Sequence, residues 1–93
     1  MDIFSPIQIG SISFPNRTVM APAVINSATE DGFVSEPYRD FYLARARGEV
    51  GFVMLGAAFV HPDGRGFCGQ LAIDRDETVP GLTGLVQDLS EAG

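Results

Sequence analysis

Side chains able to do chemistry are few in this 93-residue sequence. His61 is its one histidine and Cys68 its one cysteine, both in a glycine- and proline-rich segment. His61 supplies a titratable ring, but a Cys/His metal site needs several such ligands at close spacing, so none is expected. No lysine, arginine or histidine is arranged around Cys68 to activate it, which makes it an ordinary loop thiol. A single cysteine also excludes an intrachain disulfide. Asp74, Asp76 and Glu77 form an acidic run just ahead of a helix start, where the helix dipole favours negative charge without any metal.

Two stretches of small residues are the other candidates. Ala21-Pro22-Ala23-Val24 follows the apolar run Thr18-Val19-Met20, and Gly56-Ala57 lies within the run Val50 to Val60. Small residues and proline at a strand end let the backbone approach a flat ligand, with main-chain groups meeting its polar edge. The same residues also serve to end a strand or to pack a helix closely on it, and both readings stand.

The elements that must position these residues follow from periodicity. Ile7-Gln8-Ile9 and Ile12-Ser13-Phe14 alternate apolar and polar, and Gly10-Ser11 between them suits a two-residue turn, so a β-hairpin with one buried face is predicted. Thr18 to Ala21 and Val50 to Val60 lack polar alternation, as expected for strands buried on both faces of a parallel sheet. Ser35 is an N-cap candidate, with Glu36 and Pro37 suited to a first helical turn. Tyr38, Phe41, Tyr42 and Ala46 then give one apolar face, and Arg45, Arg47 and Gly48 form the stop signal. His61 to Asp76 reads as a long loop of the kind that usually carries function. A second helix opens near Pro80 with the stripe Val79, Leu82, Leu85, Val86 and Leu89, and Gly93 falls where a C-cap glycine would go.

Composition narrows the partners. Hydrophobic residues make up 45% and aromatics 10%, as in a packed globular protein. The net charge is −6, and the six basic residues, all arginine, form no basic stripe, which argues against nucleic acid. Met1-Asp2-Ile3-Phe4 lacks the features of a signal peptide, and the longest apolar run is interrupted by glycine and too short to span a bilayer. A reducing cytoplasm and no membrane partner are the expectation. Strands alternating with helices predict an α/β parallel sheet. Two strands with nothing to blunt their edges call for more strands, from further chain or from other copies.

Asn16-Arg17-Thr18-Val19-Met20-Ala21-Pro22 resembles the opening strand of the old yellow enzyme family of NAD(P)H:flavin oxidoreductases. Phe4 to Gly10, Thr29 to Gly32, Ala46 to Gly51, Val60 to Gly66 and Asp76 to Gly81 resemble further family segments in the right order and spacing. The resemblance implies a (β/α)8 TIM barrel with FMN at the C-terminal ends of its strands. It implies that Ala21, Pro22, Ala23, Val24 and Ala57 lie against the flavin and that Asn26 faces the substrate. In the complete family enzyme, NAD(P)H reduces FMN and the reduced flavin passes hydride to the activated C=C bond of a small molecule.

Departures from the family pattern matter as well. Val24 stands where many members have Thr or Cys, and valine has no donor for a flavin carbonyl; a harder reduction of the flavin is expected. Asn26 replaces a tyrosine, which removes an acid from that position and leaves turn geometry as an equal explanation. Gly56 replaces an acidic residue. His61 matches a loop position distant from the family's substrate-binding His/Asn pair. That pair, the proton-donating tyrosine and the FMN-phosphate site all come from later strands. These 93 residues are therefore expected to form an N-terminal portion of one barrel domain, a hairpin over residues 6–15 and two βα units over 17–93, inactive alone. The alternative is a non-catalytic module that associates with itself.

Overall fold

The computed structural model describes residues 2–92. Strands Ile7–Ile9 (β1) and Ile12–Phe14 (β2) pair antiparallel, with Ile7 opposite Phe14 and Ile9 opposite Ile12. Gly10 has φ +61° and Ser11 does not share a positive φ, the type II′ pattern that matches strand twist in a two-residue hairpin. A Cβ at Gly10 would meet nothing within 4 Å, so backbone conformation alone favours glycine there.

Strands Val19–Met20 (β3) and Phe52–Val53 (β4) pair in parallel, Val19 beside Phe52 and Met20 beside Val53. They are shorter than the apolar runs that contain them, and they are covered on one face only. Met20, Val53 and Leu55 pack against the core, whereas Val19, Phe52 and Met54 are exposed. The core that these three share with the helices lies on one side of the strand pair, so alternate residues of an unbroken apolar run meet different environments. The open face and the hairpin residues Ile7, Ile9 and Phe14 line an apolar groove of about 290 Å³. Phe14 and Phe52 meet edge to face across it, ring centroids 5.4 Å apart, and this ties the hairpin to β4.

Helix α1 spans Glu36–Arg47. The Ser35 hydroxyl accepts a hydrogen bond from the Tyr38 amide at 3.1 Å, so the predicted N-cap is in place. The same hydroxyl donates to the carbonyl of Ser27, which anchors the incoming loop. Leu43 joins Tyr38, Tyr42 and Ala46 on the buried face, and Phe41 is only half-buried. Gly48 follows the last turn as expected, but its φ of −78° is not left-handed. The left-handed residue is Glu49, φ +70°, whose carbonyl accepts from Asn16 Nδ2 at 2.7 Å. That tether holds the chain reversal one residue beyond the glycine.

Two short 3₁₀ turns, Pro62–Gly64 and Asp76–Thr78, interrupt the long loop. Phe59 and Ala72 form an isolated parallel bridge that closes the loop at its base. Helix α2, Val79–Ala92, then packs on α1. Its core face is narrower than the predicted stripe: Leu85 is buried, Leu82 and Leu89 pack beside it, and Val79 and Val86 are 54% and 57% exposed. The expected cap at Gly93 lies outside the described residues. Arg39 Nε of α1 bonds Asp88 Oδ2 of α2, and this hydrogen bond, then the charge of Asp88, raises the arginine's pKa.

Tyr38, Tyr42, Leu71 and Leu85 form the buried core cluster. Leu85→Ala should therefore cost about 2–5 kcal/mol, while Val86→Ala stays within about 0.5 kcal/mol; urea unfolding of the two variants checks this. Burial first, then Tyr42, pushes the Tyr38 phenol well above its ordinary range. Because the folded state resists losing that proton, its contribution to stability is full below the ordinary phenol pKa of about 10 and is lost as pH rises above it. The melting temperature should fall more steeply with pH above about 10 in the wild type than in Tyr38→Phe.

Candidate functional site

Because β3 and β4 are parallel, the chain leaves both strands on the same side. β3 continues as Ala21-Pro22-Ala23-Val24, all exposed, and β4 continues through Leu55 and the buried Gly56 to the exposed Ala57. The two ends lie very close together. A Cβ on Gly56 would stand 2.3 Å from the Ala23 carbonyl oxygen and 3.0 Å from Val24 Cα. In this arrangement a side chain at position 56 would force the main chain at Ala23 to shift.

Helix α1 supplies the group that holds the ends at this spacing. The hydroxyl of the fully buried Tyr42 accepts from the Gly56 amide at 3.0 Å and donates to the Ala23 carbonyl at 3.3 Å. A second tie comes from the loop. Buried Gln70 donates through Nε2 to the Ala57 carbonyl at 3.2 Å and accepts from the Gly66 amide through Oε1 at 2.7 Å. Sequence reasoning passed over both residues. Tyr42 was legible only as part of an apolar face. The one available signal for Gln70 was a polar side chain beside the apolar Leu71-Ala72-Ile73.

Asn26 is brought to the same place. It lines one narrow crevice with Val24, Gly56, Ala57, Tyr42 and Gln70. Its φ of +51° is left-handed, and Gly69 packs so closely behind it that a Cβ there would lie 2.4 Å from the Asn26 carbonyl oxygen. The loop over residues 61–76 is fastened to this segment by Ala28 N to Gly69 O and Ala72 N to Gly32 O, both 2.9 Å. Arg65 and Arg75 each donate to a carbonyl of the facing turn, Glu30 and Asp31 respectively, at 2.7 Å.

The remaining candidates stay apart from the crevice. His61 is exposed, and its Nδ1 accepts from the Asp63 amide at 3.1 Å, capping the turn Pro62–Gly64. Cys68 is exposed on the same loop. Asp74 pairs with its neighbour Arg75 at 2.8 Å, so the acidic run does not converge on one point.

Ala21, Pro22, Ala23, Val24 and Ala57 thus form a shelf of small, mostly apolar surface. Among the described residues, the amides of Ala23, Val24 and Ala57 donate no hydrogen bond. A flat, largely apolar ring with hydrogen-bond acceptors along one edge fits this donor set. A phosphate does not, because Arg65 and Arg75 are already committed to main-chain carbonyls.

Comparison with known proteins gives a consistent picture. The family model for the NADH:flavin oxidoreductase / NADH oxidase family matches residues 2–93. An NADH oxidase of Thermoanaerobacter brockii is 39% identical over 93 residues, covering 99% of this chain and 14% of that protein. The probable NADH-dependent flavin oxidoreductase YqiG of Bacillus subtilis is 37% identical, covering 98% of this chain and 24% of that protein. Among solved structures, old yellow enzyme from Pichia sp. superposes with a TM-score of 0.88 at 25% identity, over 98% of this chain and 24% of its own. The old yellow enzyme homologue from Zymomonas mobilis gives 0.87 at 27% identity, over 100% of this chain and 26% of its own. The neighbours are TIM barrels, and the match falls in the N-terminal portion of these proteins. The chain spans a quarter or less of the curated relatives named here.

The close approach of the strand ends makes one substitution informative. Gly56→Ala drives a methyl into the Ala23 main chain and should cost about 1–3 kcal/mol. Gly66→Ala meets only Gln70 Oε1, at an ordinary 3.6 Å, and should cost less. Chemical denaturation of the pair tests the difference.

Proposed function

The chain belongs to the NADH:flavin oxidoreductase / NADH oxidase family, and on that premise we propose that it forms one wall of the FMN pocket in an NAD(P)H-dependent oxidoreductase of the ene-reductase type. The observation that carries the reading is the shelf at the ends of β3 and β4, with unpaired amides at Ala23, Val24 and Ala57. In TIM barrels, the C-terminal ends of the strands are where active sites are built.

Ala21, Pro22, Ala23 and Val24 would lie along the flavin ring on one side, with Ala57 beside them. Their amides would meet its polar edge, and their small side chains would keep water from it. Bound FMN supplies hydride transfer from NAD(P)H to an activated C=C bond. Asn26, presented by its left-handed backbone beside Val24, would face the substrate. An amide donates and accepts hydrogen bonds but is no acid, so Asn26 would orient substrate and the proton would come from another group. The FMN phosphate would be held elsewhere in a complete barrel, where TIM-barrel phosphate sites are commonly built by the loops after the seventh and eighth strands. These residues alone are proposed to be catalytically inactive.

A second reading rests on the uncovered face of β3 and β4. Val19, Phe52 and Met54 are exposed beside an apolar groove, and a two-stranded sheet is marginal in water. Self-association through this face would cover it. Sedimentation of the 93-residue chain separates the cases, since a well-folded monomer contradicts self-association.

The main reading predicts that the complete flavin-loaded barrel containing these residues oxidises NAD(P)H in the presence of an α,β-unsaturated carbonyl compound and reduces its double bond. Absence of both flavin binding and this turnover would refute it. Val24→Thr adds a donor toward the flavin edge, so it should raise the midpoint potential by on the order of 30 mV. An unchanged potential would show that the side chain at position 24 does not address the flavin.

A further inference from the structure

Tyr42 and Gln70 are outside the set of residues expected to touch FMN, yet each is buried and bonds the main chain at or beside the two strand ends. Ala23 and Gly56 come from different strand ends, and one phenolic oxygen bonds both. The residues that follow them, Val24 and Ala57, are the two expected to meet the ring from either strand end. Gln70 then fixes the carbonyl of Ala57 itself, and its own orientation is set by the Gly66 amide at 2.7 Å. Burial matters here. A neighbouring water cannot replace a lost partner at Gly56, so removing the hydroxyl leaves a buried amide unsatisfied unless the strand end moves.

We propose that Tyr42 and Gln70 are positioning residues for the flavin: together they set the separation and pitch of the two strand ends and so the shape of the surface the ring meets. The inference rests on the reading that FMN occupies the shelf. Neither residue is expected to touch the cofactor; each acts through main-chain groups of the strand ends, Ala23 and Gly56 for Tyr42 and Ala57 for Gln70. The ring of Tyr38 packs against that of Tyr42, centroids 5.0 Å apart.

The test compares Tyr42→Phe with Leu85→Ala in the complete flavin-loaded barrel that contains these residues. Leu85 is equally buried but belongs to the helix packing rather than to the strand ends. Tyr42→Phe should weaken FMN binding about tenfold and shift the visible absorption bands of the bound flavin. Leu85→Ala should lower the melting temperature at least as much while leaving affinity and spectrum at wild-type values. If Tyr42→Phe does not accumulate as folded protein, Gln70→Met removes the tie to Ala57 with little change of volume, and the same spectral shift and weaker binding are expected. Wild-type affinity and spectrum in the tyrosine variant, or in the glutamine variant where that is the one measured, would overturn the positioning role and leave the flavin reading intact. Failure of the wild-type complete barrel to bind FMN at all would overturn both.

Discussion

The buried hydroxyl of Tyr42 meets the Ala23 carbonyl and the Gly56 amide, and much of the site is arranged around that contact. Parallel strands end with main-chain groups that have no ladder partner, and buried groups of that kind must be satisfied from elsewhere. Here a helix side chain does it from behind. The outward side of both strand ends is left free of side-chain bulk, with Ala23, Val24 and Ala57 exposed and their amides available. Because the ends are bridged at one atom, they must lie close, and at that spacing position 56 accepts no side chain. One hydroxyl therefore bonds both strand ends, and their close approach leaves no room for a Cβ at Gly56 unless the main chain shifts.

Much of the local structure was legible because it follows from local rules. The turn at Gly10, the Ser35 cap and the α1 boundaries are decided by a few adjacent residues, and the structure agrees with them. What the sequence hid is set by contacts between distant segments. Val79 and Val86 carry the same apolar signal as Leu85, yet they are exposed, because α2 meets α1 along a narrow line. The two apolar strand runs carry no sign of which residues face the helices, since every position is hydrophobic. Pairing β3 with β4 in one register decides it, leaving Val19, Phe52 and Met54 on the uncovered side. Similarly, the left-handed residue after α1 is Glu49 rather than Gly48 because Asn16, 33 residues earlier, holds its carbonyl.

The site was legible in a different way. Family resemblance pointed to Ala21, Pro22, Ala23, Val24, Asn26 and Ala57 as a proposed site; of these, Val24, Asn26 and Ala57 line one crevice. Without that resemblance, small residues at a strand end say little, since they serve packing equally well. Tyr42 and Gln70 could not be found from type or spacing. A tyrosine on an apolar helix face reads as core, and its ring is core; only its oxygen acts on the site. Gly56 likewise became intelligible once the Ala23 carbonyl was seen 2.3 Å from where its Cβ would stand.

FMN is proposed to meet the main chain at the ends of β3 and β4. Amide hydrogen exchange, compared residue by residue between flavin-loaded and flavin-stripped protein, addresses it most directly. The amides of Ala23, Val24 and Ala57, unpaired among the described residues, should exchange fast when stripped and become protected when FMN binds. Flavin binding that protects other segments and leaves these three amides exchanging as before would contradict the account.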